Sequence, residues 1–112
     1  MDISQLQQSG RTILRLHGDL RRGDPTDDLK NTLDDLIAQG NFNIILNISD
    51  VNMIDSTGIG IIVRGHTRTI ERGGALKLVN PSKFALQTLK IVGLLNVLTV
   101  VSSEEDAIAS FA

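Results

Sequence analysis

The sequence contains no cysteine, no strong excess of one charge and no long apolar run. Without cysteine there can be no disulfide framework and no thiolate metal site. The formal net charge of −2 gives no reason to expect nucleic-acid or membrane binding, because both usually require a basic patch. The first residues lack the features of a secretory signal, and no apolar run approaches the roughly 20 residues of a membrane helix. We therefore expect a cytoplasmic protein without direct membrane insertion.

The composition marks no internal boundary. The sequence has no low-complexity segment, no charge block, no linker rich in proline and glycine, and no obvious repeat. Its 112 residues are 41% apolar and 21% charged, which is ordinary for a globular protein with one core. We predict a single domain over residues 1–112, and therefore one site on one scaffold.

Two strands and a helix are predicted in the first third of the chain. The strands contain Leu6 and Thr12–Gly18 and are separated by a turn. Asp24 is predicted to cap the first helix, which Gly40 ends. The apolar stripe of this helix, at helical spacing, is Leu29, Leu33, Leu36 and Ile37. The aspartates that lie off the stripe are interpreted as a solvated outer surface: Asp28, Asp34 and Asp35.

Strands and helices alternate in the rest of the chain. The apolar run Asn43–Ser49 predicts a central strand covered on both faces. The segments that follow are a helix from about 57 to 72, a strand over 75–80, a helix ending at Gly93, a strand over 97–102 and a helix capped by Ser102 or Ser103. The buried stripe of the second helix is predicted to be Ile59, Ile62, Val63, His66 and Ile70. This order predicts an α/β fold with a mixed, mostly parallel sheet of about five strands and four helices.

The stretch "NMIDSTGIG", Asn52–Gly60, joins the predicted central strand to the second helix. Open α/β folds place their sites at this carboxyl end of the sheet. A nucleophile at Asp55 or Ser56 would need a base within hydrogen-bond reach. Of the only two histidines, His66 lies on the apolar stripe of the second helix, whereas His17 ends the second strand and could approach the loop. The glycine of a nucleophile elbow is missing, however. We expect no catalytic residue.

Two ligand-binding interpretations of the same stretch require further residues that this sequence does not have. A receiver-like phosphate acceptor at Asp55 needs an acidic pair after the first strand and a lysine after the last, where this chain has glutamines and serines. A phosphate cradle at Gly58 and Gly60 lacks a third glycine and a Walker lysine. We therefore expect no metal and no cofactor. The two glycines are interpreted as packing residues of the helix start.

In the fourth interpretation, another enzyme phosphorylates Ser56, which lies at an exposed helix start among small neighbours. The segment "MIDSTGIGIIVRGHTRTIERGGALKLVN" closely resembles the signature of anti-sigma factor antagonists of the STAS domain family. "LRLHGDL" resembles the second strand and turn of that family, and "KFALQTLKIVGLLNVLTVVSSEEDAIASF" resembles its last elements. The resemblance covers nearly the whole chain.

The resemblance implies a bacterial partner-switching regulator of the stress-response type that is not itself an enzyme. In the family, the serine matching Ser56 is phosphorylated by a partner that is both an anti-sigma factor and a serine kinase. Only the unmodified form binds that partner well and so frees a sigma factor, and a serine phosphatase resets the switch. The runner-up function is a constitutive STAS scaffold subunit of a stress-signalling or membrane-transport complex.

One segment departs from the family pattern. "GDLRRGD", Gly18–Asp24, replaces the common Gly-Glu-Leu/Ile-Asp series of the family. Asp19 is the best positional match to the acidic residue that meets the partner, and Asp24 is the second candidate. Thr57 is the second candidate phosphoacceptor after Ser56. Arg64 and Arg68 are expected either on the partner surface or on a solvated basic face. The full set of candidate partner-binding residues is Asp19, Asp24, Asp55, Ser56, Thr57, Gly58, Arg64 and Arg68.

Overall fold

The computed structural model describes residues 1–111, which form a five-stranded sheet and four helices. The strands are β1 (Asp2–Gln8), β2 (Arg11–His17), β3 (Asn43–Asp50), β4 (Ala75–Val79) and β5 (Thr99–Val101). The helices are α1 (Asp24–Ala38), α2 (Ser56–Glu71), α3 (Lys83–Ile91) and α4 (Glu104–Ser110), with a short 3-10 helix at Leu94–Asn96. The predicted fold class and order of elements are confirmed. The last strand is shorter than the predicted 97–102.

The five strands lie in the sheet in chain order. β1 is antiparallel to β2, whereas β2, β3, β4 and β5 are parallel neighbours. β3 is therefore the central strand, as predicted, and Ile44, Ile45, Leu46 and Ile48 are fully buried in it. A parallel strand with both faces covered is expected to carry such a continuous apolar run.

Helices cover both faces of the sheet. Side chains of α1, α2 and α3 pack with one face of β2, β3 and β4 into the main core. On the other face, Ala107 of α4 packs with Ile13, Ile45 and Val79 in a smaller cluster. Successive side chains of a strand point to opposite faces, and this explains why Ile44 and Ile45 belong to different clusters. No helix within residues 1–111 combines the length and the apolar character needed to cross a membrane.

Helix α1 begins one residue before the predicted position. Gly23 is the N-cap, with a φ of 120°, and Asp24 is the first helical residue, so the prediction that Asp24 is the cap was wrong. That φ favours glycine, and the hydroxyl of Thr26, the third helical residue, accepts a hydrogen bond from the Gly23 N–H at 3.1 Å. Gly40 follows the helix with a φ of 89°, as predicted. All four residues of the predicted apolar stripe are buried.

The predicted buried stripe of α2 is partly wrong. Ile62 is buried, but 52% of Ile70 is exposed. The other buried residues of this helix are small: Gly58, Gly65 and Thr69. A Cβ at Gly65 would lie 3.0 Å from Leu33 Cδ1 and from Leu76 Cδ1. Because small residues bring α2 close to α1 and β4, apolar periodicity alone misses the contact face.

Candidate functional site at the start of helix α2

Three loops meet at the carboxyl edge of the sheet, beside the first turn of α2. Leu20 forms an isolated parallel bridge with Ile54, and its N–H donates to the Met53 carbonyl at 2.9 Å. The Ser82 hydroxyl donates to the Asn52 carbonyl at 3.1 Å. These contacts tie together the β2 loop (18–23), the β3 loop (51–55) and the β4 loop (80–82). The stretch Asn52–Gly60 therefore lies at the sheet edge where the alternating pattern predicts it.

Asp55 is the N-cap of α2 and the link between two of these loops. Its Oδ1 accepts a hydrogen bond from the Gly58 N–H at 2.8 Å, and its Oδ2 accepts one from the Arg22 N–H at 2.7 Å. The bonds from Arg22 and Gly58 hold the pKa of the Asp55 carboxyl below its usual range. Both oxygens are thus engaged within the chain, and Asp55 fixes the β2 loop against the helix start.

The cap predicts a pH-dependent loss of stability in Asp55→Ala. We expect the free energy of unfolding to fall by about 1–2 kcal/mol at pH 7, because an N-cap and its loop bond are lost. A depressed pKa stabilises the fold above the usual pKa of aspartate, and this contribution disappears as the pH falls toward the folded value. Denaturant unfolding of both proteins at pH 7 and at about pH 3 should therefore show a difference that shrinks in acid.

Asp35→Ala is the control for this measurement, because Asp35 is an exposed carboxylate on α1. Its difference from the unsubstituted protein should stay within about 0.5 kcal/mol at both pH values. A difference for Asp55→Ala that is as small at pH 7 as that of the control would contradict the capping role.

Ser56 is the first residue of α2, and its side chain is exposed. Because the Asp55 carboxylate caps the helix, the Ser56 hydroxyl is not needed for that role. Within residues 1–111 this hydroxyl makes no hydrogen bond. Thr57 is half-buried and Gly58 is buried, so the hydroxyl most exposed to solvent at this helix start is that of Ser56.

The two candidate acids of the segment Gly18–Asp24 have different surroundings. Asp19 Oδ1 accepts a hydrogen bond from the Met53 N–H at 3.3 Å, and its Oδ2 lies 3.3 Å from Arg21 Nη2. Asp19 is therefore attached to the β3 loop, three residues before Ser56. Asp24 is exposed at the start of α1.

Arg64 and Arg68 lie in the contact between α1 and α2. Arg64 Nη1 is 2.9 Å from Asp34 Oδ1, Arg68 bonds the same carboxylate, and Lys30 Nζ lies 3.3 Å from Asp34 Oδ2. Asp34 keeps 29% of its side chain exposed, as expected of an outer surface, and it is also the counter-ion of three cations. Arg64 is eight residues after Ser56, about 12 Å along the helix axis. The structure therefore does not bring the arginines together with the loops.

The side-chain contacts found for the two histidines within residues 1–111 do not include Ser56. His17 Nδ1 lies 2.8 Å from Asp50 Oδ2, and His66 Nδ1 is buried without a hydrogen-bond partner in the described chain. Within residues 1–111, no group of three His, Cys, Asp or Glu side chains is arranged to hold a metal ion.

The two glycines of the stretch have different roles. A Cβ at Gly58 would lie 2.8 Å from the Leu20 carbonyl oxygen and 2.9 Å from Ile54 Cγ2, so this position requires glycine for packing, as predicted. Gly60 is exposed, and a Cβ there would meet no atom within 4 Å. The interpretation of Gly60 as a packing residue was wrong.

An exposed apolar rim borders the loops, and sequence reasoning missed it. Met53 is 51% exposed and Phe84 is 66% exposed, and together with Asp19 and Asn52 they line a shallow cleft. The helical spacing could have predicted the exposure of Phe84, because this residue does not lie on the buried side of α3, which contains Ala85 and Leu89. Phe84 adjoins the exposed Met53 in this cleft, and adjoining exposed apolar side chains are a feature of contact surfaces.

The fold and the site together define a small α/β domain that displays a serine hydroxyl at a capped helix start. The family model of the STAS domain matches residues 3–107, and the chain belongs to this family. The anti-sigma-B factor antagonist of Bacillus subtilis (strain 168) is 30% identical over 72 residues, which are 64% of this chain and 66% of that relative. The match thus spans just under two thirds of the relative's length.

Solved structures that resemble the chain include an anti-sigma factor antagonist and a transporter family protein. SpoIIAA, a Bacillus anti-sigma factor antagonist, has a TM-score of 0.82 in its unphosphorylated form, at 22% identity over 96% of this chain and 93% of that one. Its phosphorylated form has a TM-score of 0.78 at 22% identity, over 99% and 100% of the two chains. A sulfate transporter family protein from Wolinella succinogenes has a TM-score of 0.79 at 26% identity, over 94% and 87%. These likenesses confirm the STAS fold.

Proposed function

We propose that this chain is an anti-sigma factor antagonist that acts in the cytoplasm as a single domain, residues 1–112. The unmodified form binds an anti-sigma factor that is also a serine kinase, and it thereby frees a sigma factor. Phosphorylation of Ser56 switches this binding off, and a serine phosphatase restores it. The chain is then a substrate of enzymes rather than an enzyme. The observation that carries the proposal is the exposed Ser56 hydroxyl, which Asp55 frees from capping.

The relatives support the same role. The Bacillus subtilis relative is an anti-sigma-B factor antagonist, and SpoIIAA has been solved in phosphorylated and unphosphorylated forms. Ser56 stands in the segment of this chain that resembles the family signature.

A phosphate on Ser56 is compatible with the fold. It adds about −1.5 to −2 charges near neutral pH. At a helix N-terminus such a charge is favoured by about 0.3–1 kcal/mol, and here it would replace no native hydrogen bond of the described chain. Modification therefore changes the surface offered to a partner and leaves the domain folded.

The proposed partner surface is centred on the three loops. Asp19, Asp24, Ser56 and Thr57 form its polar part, and Met53 and Phe84 form its apolar part. An apolar centre with methionine and aromatic side chains is typical of protein interfaces. Asp55 and Gly58 contribute indirectly by holding the loops in place, and we assign Arg64 and Arg68 to the contact between α1 and α2.

Phe84→Ala tests the apolar part of this surface. Because the ring is largely exposed, its removal should change the free energy of unfolding by less than about 0.5 kcal/mol. Loss of a buried anchor at an interface costs more than about 1.4 kcal/mol, so the anti-sigma factor should bind about tenfold more weakly. Calorimetric titration of the two purified proteins measures this. Ile91→Ala is the control, because Ile91 is 75% exposed at the far end of α3 and should leave the affinity unchanged.

Phosphopeptide mapping tests the modified residue. After treatment with the anti-sigma kinase and nucleotide, we expect one phosphoryl group on Ser56, and none in Ser56→Ala. Phosphate found on Thr57 instead would move the acceptor by one residue, and a site outside this loop would contradict the proposal for both.

One comparison favours a second candidate function. The likeness to a sulfate transporter family protein, at 26% identity, supports a constitutive scaffold subunit whose serine is not switched. Affinity capture from the native cell, with the unsubstituted chain and with Ser56→Asp, separates the two functions. A switch predicts that Ser56→Asp loses the partner, whereas a scaffold predicts that both proteins retain transport or stress-signalling subunits.

A further inference from the structure

The β2 loop places two arginines beside the proposed phosphoacceptor. Leu20 is paired in parallel with Ile54, so the two arginines that follow Leu20 in the β2 loop lie next to the residues that lead into α2. The Arg22 N–H donates to Asp55 Oδ2 at 2.7 Å, so its backbone is fixed next to the residue that precedes Ser56. Both arginine side chains are exposed.

The two guanidinium groups are available for a new anion. Arg21 Nη2 lies 3.1 Å from Met53 Sδ and 3.3 Å from Asp19 Oδ2, with 57% of the side chain exposed. An exposed pair of this kind contributes little to stability and can rearrange. Arg22 has no ion pair within the part of the chain that the structure describes. The positive charge of Arg21 already acts on Asp55, whose pKa it helps to lower.

We propose that Arg21 and Arg22 bind the phosphate on Ser56 within the same chain and close the β2 loop over the start of α2. A guanidinium group binds phosphate oxygens through two parallel hydrogen bonds, which suits it to a dianion. The acids that face the same region are Asp19, Asp24 and Asp55, and the two arginines offset the charge that the phosphate adds to them. The inference rests on the proposed function in that Ser56 is taken as the modified residue.

The arginines also alter what the phosphorylated form presents to a partner. When Arg21 turns toward the phosphate, it leaves Asp19 and uncovers Met53, both of which belong to the proposed partner surface. Phosphorylation in this chain then acts through the arrangement of the β2 loop as well as through added charge. Both arginines belong to "GDLRRGD", the turn in which this sequence departs from the family pattern.

The test uses phosphoserine installed at position 56 during translation, so that no kinase is needed. Titration followed by phosphorus-31 NMR gives the second pKa of the phosphate, which is about 6 in ordinary phosphoserine. We expect Arg21→Gln and Arg22→Gln each to raise this pKa by about 0.3–0.5, because a nearby cation favours the dianion and the groups are partly exposed. Arg72→Gln is the matched control, since it removes one charge at the opposite end of α2 and should leave the pKa unchanged.

A second readout follows the arginines directly. The side-chain Nε–H signals of Arg21 and Arg22 should shift between the unmodified and the phosphoserine protein, while that of Arg72 should not. Equal pKa values in all variants, or unshifted arginine signals, would overturn the inference. Because phosphoserine is installed without the kinase, these outcomes are independent of phosphopeptide mapping, whose failure would overturn the proposed function instead.

Discussion

Ser56→Asp and Ser56→Glu are expected to bind the anti-sigma factor about 100-fold more weakly than the unmodified chain, whereas Ser56→Ala keeps the affinity. The serine lies at the centre of the proposed partner surface, where a carboxylate must lose its water and meets no counter-charge from the anti-sigma factor. An unpaired charge at a contact costs several kcal/mol, and about 2.7 kcal/mol corresponds to a factor of 100. Isothermal titration of the purified proteins measures the effect.

The fold should tolerate these acidic substitutions. Ser56 is exposed at the first position of α2, where negative charge suits the helix dipole, so thermal midpoints should change little. Thr67→Asp is the matched control, because it adds the same charge at an exposed position of the same helix, about 16 Å further along. If Ser56→Asp bound as tightly as the unmodified chain, the proposed switch would be wrong.

Gly58→Ala is expected to lower the free energy of unfolding by about 1–3 kcal/mol, the range typical of overpacking. The added Cβ would lie 2.8 Å from the Leu20 carbonyl oxygen and 2.9 Å from Ile54 Cγ2. That carbonyl accepts the Asp55 N–H at 3.2 Å, and both Leu20 and Ile54 are buried. The neighbours cannot give way without disturbing the bridge between the β2 and β3 loops.

Gly60→Ala is a control from the same helical turn. A Cβ there meets nothing within 4 Å, and alanine is favoured over glycine in a helix by about 0.5–1 kcal/mol. We therefore expect this variant to be slightly more stable than the unsubstituted protein in urea unfolding. The same change of stability in both variants would contradict the close approach at Gly58.

The alternation of strands and helices could be predicted because each element carries its own periodic signal. The apolar run of β3, the stripe of α1 and the glycines after the helices are local features, and the structure confirms them. The contact face of α2 could not be predicted in this way. Its buried residues include Gly58, Gly65 and Thr69, which carry no hydropathy signal and are chosen for closeness to neighbouring elements.

In the candidate site, too, local features could be predicted from the sequence and long-range contacts could not. The position of Ser56 follows from its place between a central strand and a helix, which the sequence makes visible. The bond from Arg22 to Asp55 and the ion pairs of Asp34 with Arg64 and Arg68 join segments about 30 residues apart, so only the packed chain reveals them. The partner role of each residue stays a prediction.

The central claim is that a phosphate on Ser56 switches partner binding, and one titration tests it most directly. The chain with phosphoserine installed at position 56 and the unmodified chain are each titrated into the same purified anti-sigma factor. We predict tight binding for the unmodified chain and an affinity at least about 100-fold weaker for the phosphorylated one, a difference of about 2.7 kcal/mol. Equal affinities of the two forms would contradict the switch.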